Sequence, residues 1–182
     1  MKKLFYFIII LIFGACSATT EEDTKTTTSS TTSSTTLPDY ETTTLSGKIS
    51  GTAWTFKTGR VTVPTSSSGS YSVSMINDNL SNACSSTYTG TSSNPKVSFS
   101  RETLTVGETE IAFKSYGTVT FYDGSTNYIV TTGKISIDTH TTTAVTGKMY
   151  AIYGTDTDQE INGTFTLSRC CLSDGSYSLC SE

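Results

Sequence analysis

The chain has 182 residues, of which 35% are hydrophobic and 15% charged, with a formal net charge of −4. The apolar share is well under the ~45–50% of an average globular chain. Thirteen of the first sixteen residues are apolar, leaving 47 apolar residues in the 138 from Leu45 onward, which suits one small β-domain rather than two. Without Lys2 and Lys3 the balance falls to −6, so the domain has no electrostatic footprint for nucleic acid. A single histidine, His140, excludes most His-based metal sites and catalytic triads.

Lys2 and Lys3 precede an unbroken apolar run from Leu4 to Phe13, and Gly14, Ala15 and Cys16 follow. A basic end, a short apolar stretch and small residues are the layout of a secretory signal. Ten helical residues rise only ~15 Å, half of the ~30 Å hydrocarbon core, so cleavage is expected rather than a permanent span. The Phe13-Gly14-Ala15-Cys16 quartet resembles the lipobox of bacterial lipoproteins, although Leu is commoner than Phe at its first position. The resemblance implies a signal peptide over residues 1–15 and a lipid on the Cys16 thiol. Two or three acyl chains there would anchor the protein stably to a membrane, where one binds marginally. Ser17 stands where an inner-membrane retention signal would place Asp, so an outer-membrane or surface destination is implied.

Between Ser17 and Thr36, fifteen of twenty residues are Ser or Thr, interrupted by Glu21, Glu22 and Asp23. Such a composition cannot offset the entropy of ordering, so residues 16–44 are expected to form a disordered tether spanning ~30 Å root-mean-square. O-glycosylation of this stalk is compatible with that reading.

From Leu45 onward, apolar and polar residues alternate with period two: Tyr71, Val73 and Met75; Val97 and Phe99; Val119 and Phe121; Ile135 and Ile137; Ile161, Phe165 and Leu167. This predicts half-buried strands, and no segment shows a helical period. A Gly-led pattern recurs at Gly117, Gly133, Gly147 and Gly163, echoed at Gly47, and is read as strand openings in a meander of antiparallel hairpins. Turns are expected at Asp123-Gly124, from Asp138 to Thr143, and from Gly154 to Asp158. The polar stretch from Asn77 to Asn94 is the one long loop, of the kind that is often functional or covalently pinned. The expected fold is all-β, a single antiparallel β-sandwich or open β-barrel over residues 45–182.

Cys84, Cys170, Cys171 and Cys180 predict two disulfides in an oxidising compartment. Adjacent Cys170 and Cys171 point to opposite faces of a strand and take different partners. In a regular last strand Cys171 shares the face of Phe165 and Leu167, favouring Cys84–Cys171 and Cys170–Cys180; a bulge before Cys170 reverses the pairing.

Asp156, Asp158 and Glu160 alternate in the manner of calcium ligands, but the following glycine and the missing distal Glu do not fit such a loop, and a solvated acidic hairpin tip is expected. His140 is placed on a turn among threonines, exposed. Glu102, Glu108, Glu110 and Asp123 have no spacing that supports paired-carboxylate hydrolysis. No cofactor and no catalytic residue is expected. Trp54, Tyr116, Tyr122 and Tyr150 are the candidates to face a ligand, because some aromatics must point outward if Val119, Phe121 and Met149 point in.

Gly51-Thr-Ala-Trp54 departs by one residue from the Gly-x-Trp of lipocalins. With the hairpin segments of the type Gly-Lys-Ile-Ser-Ile, it resembles more closely small bacterial envelope lipoproteins of unknown function, and that resemblance implies a β-domain without catalytic residues. The expected function is therefore a lipid-anchored, non-catalytic cell-envelope module, binding a protein or glycan partner or serving an architectural role. The alternative is a calycin-like carrier or inhibitor whose strands enclose a small ligand.

Overall fold

A computed structural model describes residues 36–85, 88, 94–113 and 117–181. These form twelve strands and no α-helix: β1 Ser46–Ile49, β2 Thr52–Thr55, β3 Thr58–Thr62, β4 Tyr71–Ile76, β5 Lys96–Arg101, β6 Gly107–Glu110, β7 Val119–Tyr122, β8 Asn127–Val130, β9 Thr132–His140, β10 Ala144–Tyr153, β11 Asp156–Ser173 and β12 Ser176–Leu179. Cys16, the signal segment, most of the tether and Tyr116 lie outside the described residues.

The strands form one sheet in the order β6-β9-β10-β11-β3-β4-β5-β7-β8, with the β1–β2 hairpin and β12 attached to the long β11. It curls into a half-barrel, within the all-β fold expected. The sheet is mixed, not purely antiparallel, because β3 and β11 run in the same direction with Arg60, Val61 and Thr62 beside Ser168, Arg169 and Cys170. The meander β9-β10-β11-β12 is antiparallel throughout. Curling brings β8 back against β10, where the Tyr128 and Tyr153 rings meet edge to face at 5.6 Å.

Period-two patterning fills the concave side. Val61, Val73, Phe99, Val119 and Val130 lie opposite one another across five consecutive strands and are all buried. Each such side chain contributes roughly 1.5–3 kcal/mol by leaving water. Beside this row run Met75, Val97 and Phe121, and Ile135, Ile137, Met149, Ile161, Phe165 and Leu167 come from the meander. Trp54 joins the core from β2, its indole N–H donating to the Pro95 carbonyl at 3.2 Å.

Gly47 and Gly133 are the second residues of β1 and β9 and Gly117 stands two residues before β7, at strand openings as expected, whereas Gly147 and Gly163 lie in mid-strand. Gly133, Gly147 and Gly163 lie within β9, β10 and β11, where neighbouring backbone leaves no room for a side chain. At Gly133, with φ +138°, a Cβ would fall 2.1 Å from the Tyr150 carbonyl oxygen of β10. The repeat thus marks close backbone approach in a strongly curled sheet. Two-residue turns at Ser50-Gly51 and Asp174-Gly175 have positive φ at both positions, which gives them the twist that tight hairpins favour.

Cys84 pairs with Cys170 and Cys171 with Cys180, reversing the pairing expected of a regular strand. Burial along β11 alternates through Gln159, Ile161, Gly163, Phe165 and Leu167, then slips by one so that Cys170 is the next buried residue. The slip falls where β11 leaves β10 and takes β3 and β12 as neighbours. The inner disulfide ties Cys84 to β11, and nearby Ala83 and Tyr88 form a second small core with Ile76 of β4. Tyr88 donates to the Ser74 carbonyl at 2.6 Å, and burial pushes its hydroxyl pKa up to about 12. Its ring also underlies the Arg60 guanidinium, 4.4 Å away.

Residues 39–44, assigned above to the tether, instead hold to β11. The Asn162 side chain accepts from the Glu41 N–H and donates to the Asp39 carbonyl, and the Thr164 N–H donates to the Thr43 carbonyl at 2.8 Å. Tyr40 lies against Lys134 of β9, and burial, with the nearby Glu108 carboxylate, raises its hydroxyl above the ordinary tyrosine range.

Candidate functional site

The curled sheet presents two ends of different chemistry. At one, the Ser50-Gly51 turn, the β7–β8 turn and the start of β11 are joined by a polar clasp. Asp123 accepts from the Ser125 and Thr126 N–H groups at 2.8 Å and from the Ser50 hydroxyl at 2.9 Å. Tyr128 donates to the same carboxylate, and the buried Gln159 amide donates to Ser50. The backbone donors, followed by the hydroxyls, hold the Asp123 pKa well below the usual carboxylate range.

A depressed carboxylate pKa contributes stability above the unfolded-state value of ~3.9 that is lost as pH falls through the folded-state value. Asp123→Asn is therefore expected to lower the thermal midpoint at pH 7, and the gap from wild type should narrow progressively below about pH 4. Thermal unfolding at pH 7, 4 and 2.5 measures this. A gap independent of pH would mean that Asp123 acts by shape rather than charge.

At the other end, β3 and β4 separate around the Val63 to Ser70 connection, the β5–β6 connection crosses beside them, β9 ends in His140, and β11 contributes Arg169 from within its length. Two adjoining clefts result, of ≈ 480 and ≈ 360 Å³, with Tyr71 and Leu104 as their common wall. Pro64, Ser66, Ser67 and the Glu102-Thr103 pair complete the larger cleft; Thr105, Val106, His140 and Arg169 complete the smaller. Leu104 is seated in the core, whereas Val106, only two residues on, is 57% exposed at the rim. Arg169 donates from Nη1 to the Thr141 carbonyl at 3.3 Å, but its buried Nε has no hydrogen-bond partner. Across the β4–β5 ladder from Tyr71 stands Arg101, whose Nε is likewise buried and unpartnered. Neither arginine forms an ion pair among the described residues.

Of the residues expected to face a ligand, the three that are described, Trp54, Tyr122 and Tyr150, are placed elsewhere. Trp54 is core, 1% exposed. Tyr150 is buried because its neighbours on both flanking strands, Asn162 and Lys134, carry the 39–44 segment; burial, then the Glu160 charge, raises its pKa. Tyr122 is half-buried, donates to the Gly124 carbonyl and has Lys96 over its ring. Asp158 pairs with Lys48 at 2.8 Å, Asp156 accepts from the Asp158 N–H, and Glu160 lies against Tyr150. No group of three or more His, Cys, Asp or Glu able to hold a metal forms among the described residues. His140 is exposed, as expected, but it is the last residue of β9 rather than part of the turn, and it borders the smaller cleft. No protein-family model matches this chain, and neither do any curated protein or solved structure.

Proposed function

We propose that the chain is a lipid-anchored protein of the bacterial cell envelope, at the outer membrane or surface, whose β-domain is a non-catalytic binding module. The observation that carries the reading is the pair of adjoining clefts at one end of a disulfide-pinned frame, walled by Tyr71 and Leu104, the smaller of them lined by Arg169, which forms no ion pair among the described residues. The lipobox-like ending at Cys16 supplies the anchor, and the disulfides accord with an oxidising compartment. An open cleft supports a surface module over an enclosed-cavity carrier, since Trp54, the carrier's expected wall, is packed among core side chains.

Cells fed an alkyne fatty-acid analogue should label the wild-type protein and not Cys16→Ala. A photo-crosslinking residue at Val106, on the cleft rim, should form an adduct on intact cells that the same residue at exposed Ile129 does not. An unlabelled wild type sinks the anchor, and equal capture at both positions sinks the cleft.

A further inference from the structure

Resting on the binding-module reading, we infer that the two clefts form one subsite groove for an acidic saccharide, with a sugar carboxylate over the smaller cleft and neutral sugar units over the larger. In a chain of net charge −4, the smaller cleft is lined by Arg169 and His140 and by no carboxylate, so its local field runs against that of the molecule. Arg169 lines this cleft and forms no ion pair among the described residues, and its planar fork suits a carboxylate. Tyr71 stands between the clefts as a rigid aromatic with little entropy to lose, the kind of platform on which a sugar ring lies.

Beyond it the larger cleft offers the hydroxyls of Ser66, Ser67 and Thr103, which match sugar hydroxyls as donors and acceptors. Thr103 and Thr105 are linked by their own hydroxyls at 2.9 Å, so the wall crossing from one cleft to the other is held in place. Glu102 borders only the larger cleft, which sets the polarity: a carboxylate is disfavoured there and favoured beside Arg169. An acidic peptide would supply the charge, yet its backbone brings one donor and one acceptor per residue where a sugar unit brings several hydroxyls that each do both.

The test is titration of the full, disulfide-bonded chain in detergent micelles with tetragalacturonate, its carboxyl-reduced neutral counterpart, and tetraglutamate. Tetragalacturonate should bind about tenfold more tightly than the neutral sugar, as expected for one charge-assisted pair. Arg169→Gln should erase that preference while retaining neutral-sugar binding, and Tyr71→Ala should weaken both. Val106→Glu changes an exposed rim position, and it should weaken the acidic sugar alone even if Arg169→Gln fails to fold. Equal affinity for the two sugars, no binding of either, or tetraglutamate binding as well as tetragalacturonate overturns the inference. If any of these occurs while Val106 still captures an adduct on cells, the ligand class is wrong and the binding module stands; if Val106 captures nothing, the module reading falls with it.

Discussion

Replacing Cys84 and Cys170 together by alanine is expected to cost about 4–5 kcal/mol, because their bond closes a loop of 86 residues and the chain-entropy cost of opening it grows with loop length. The Cys171–Cys180 bond spans nine residues and is worth about 3 kcal/mol on the same account. The contrast is sharpened by location. Cys84 and Cys170 are both buried, and their bond ties the 77–94 loop to the strand where the parallel β3–β11 join is made. The outer bond only reinforces a tight hairpin already held by the β11–β12 ladder. Urea unfolding of the two double variants measures the difference. Equal losses would show that the inner bond does not limit the unfolded chain.

Gly133→Ala should lose about 2–6 kcal/mol, combining ~1–3 kcal/mol for a backbone conformation that L side chains rarely adopt with ~1–3 kcal/mol for overpacking. The overpacking arises because the new methyl would meet the Tyr150 carbonyl at 2.1 Å and the Ala151 Cα at 2.9 Å. Neither obstacle is a flexible side-chain end, so β9 and β10 would have to part. Gly154→Ala is the control: φ is +63°, nothing lies within 4 Å, and about 1 kcal/mol is expected from the left-handed conformation alone. Thermal unfolding of both variants checks the prediction, and similar losses would remove the close-approach argument.

Strand content was legible because alternation reports which face is buried, and the pairs Val73 and Met75, Val97 and Phe99, and Ile135 and Ile137 all point inward. Turn chemistry was partly legible. Asp123-Gly124 marks its turn by composition, and Ser50-Gly51 and Asp174-Gly175 carry the same kind of signal without the flanking alternation that makes it stand out. What a linear pattern could not carry was everything set by a third neighbour. Tyr150 is buried by the 39–44 segment on its outer face, and the disulfide pairing turns on a one-residue slip in β11. The cleft was illegible for the same reason. Tyr71 reads as one more core-facing strand residue, and Arg169 as an ordinary cation before a cysteine, until curling brings β4, β9 and β11 to one end.

The attachment of residues 39–44 to β11 has a mechanical consequence. A pull applied upstream of residue 36 enters the domain through the Asn162 side chain and the backbone of Thr164, before any edge strand bears load. β11 is joined along its length to β10, β1, β3 and β12, and it carries a cysteine of each disulfide. Tension is therefore delivered to the most cross-linked strand of the sheet and shared among four neighbours, so the domain is loaded like a beam held at its middle rather than a zip drawn from its end.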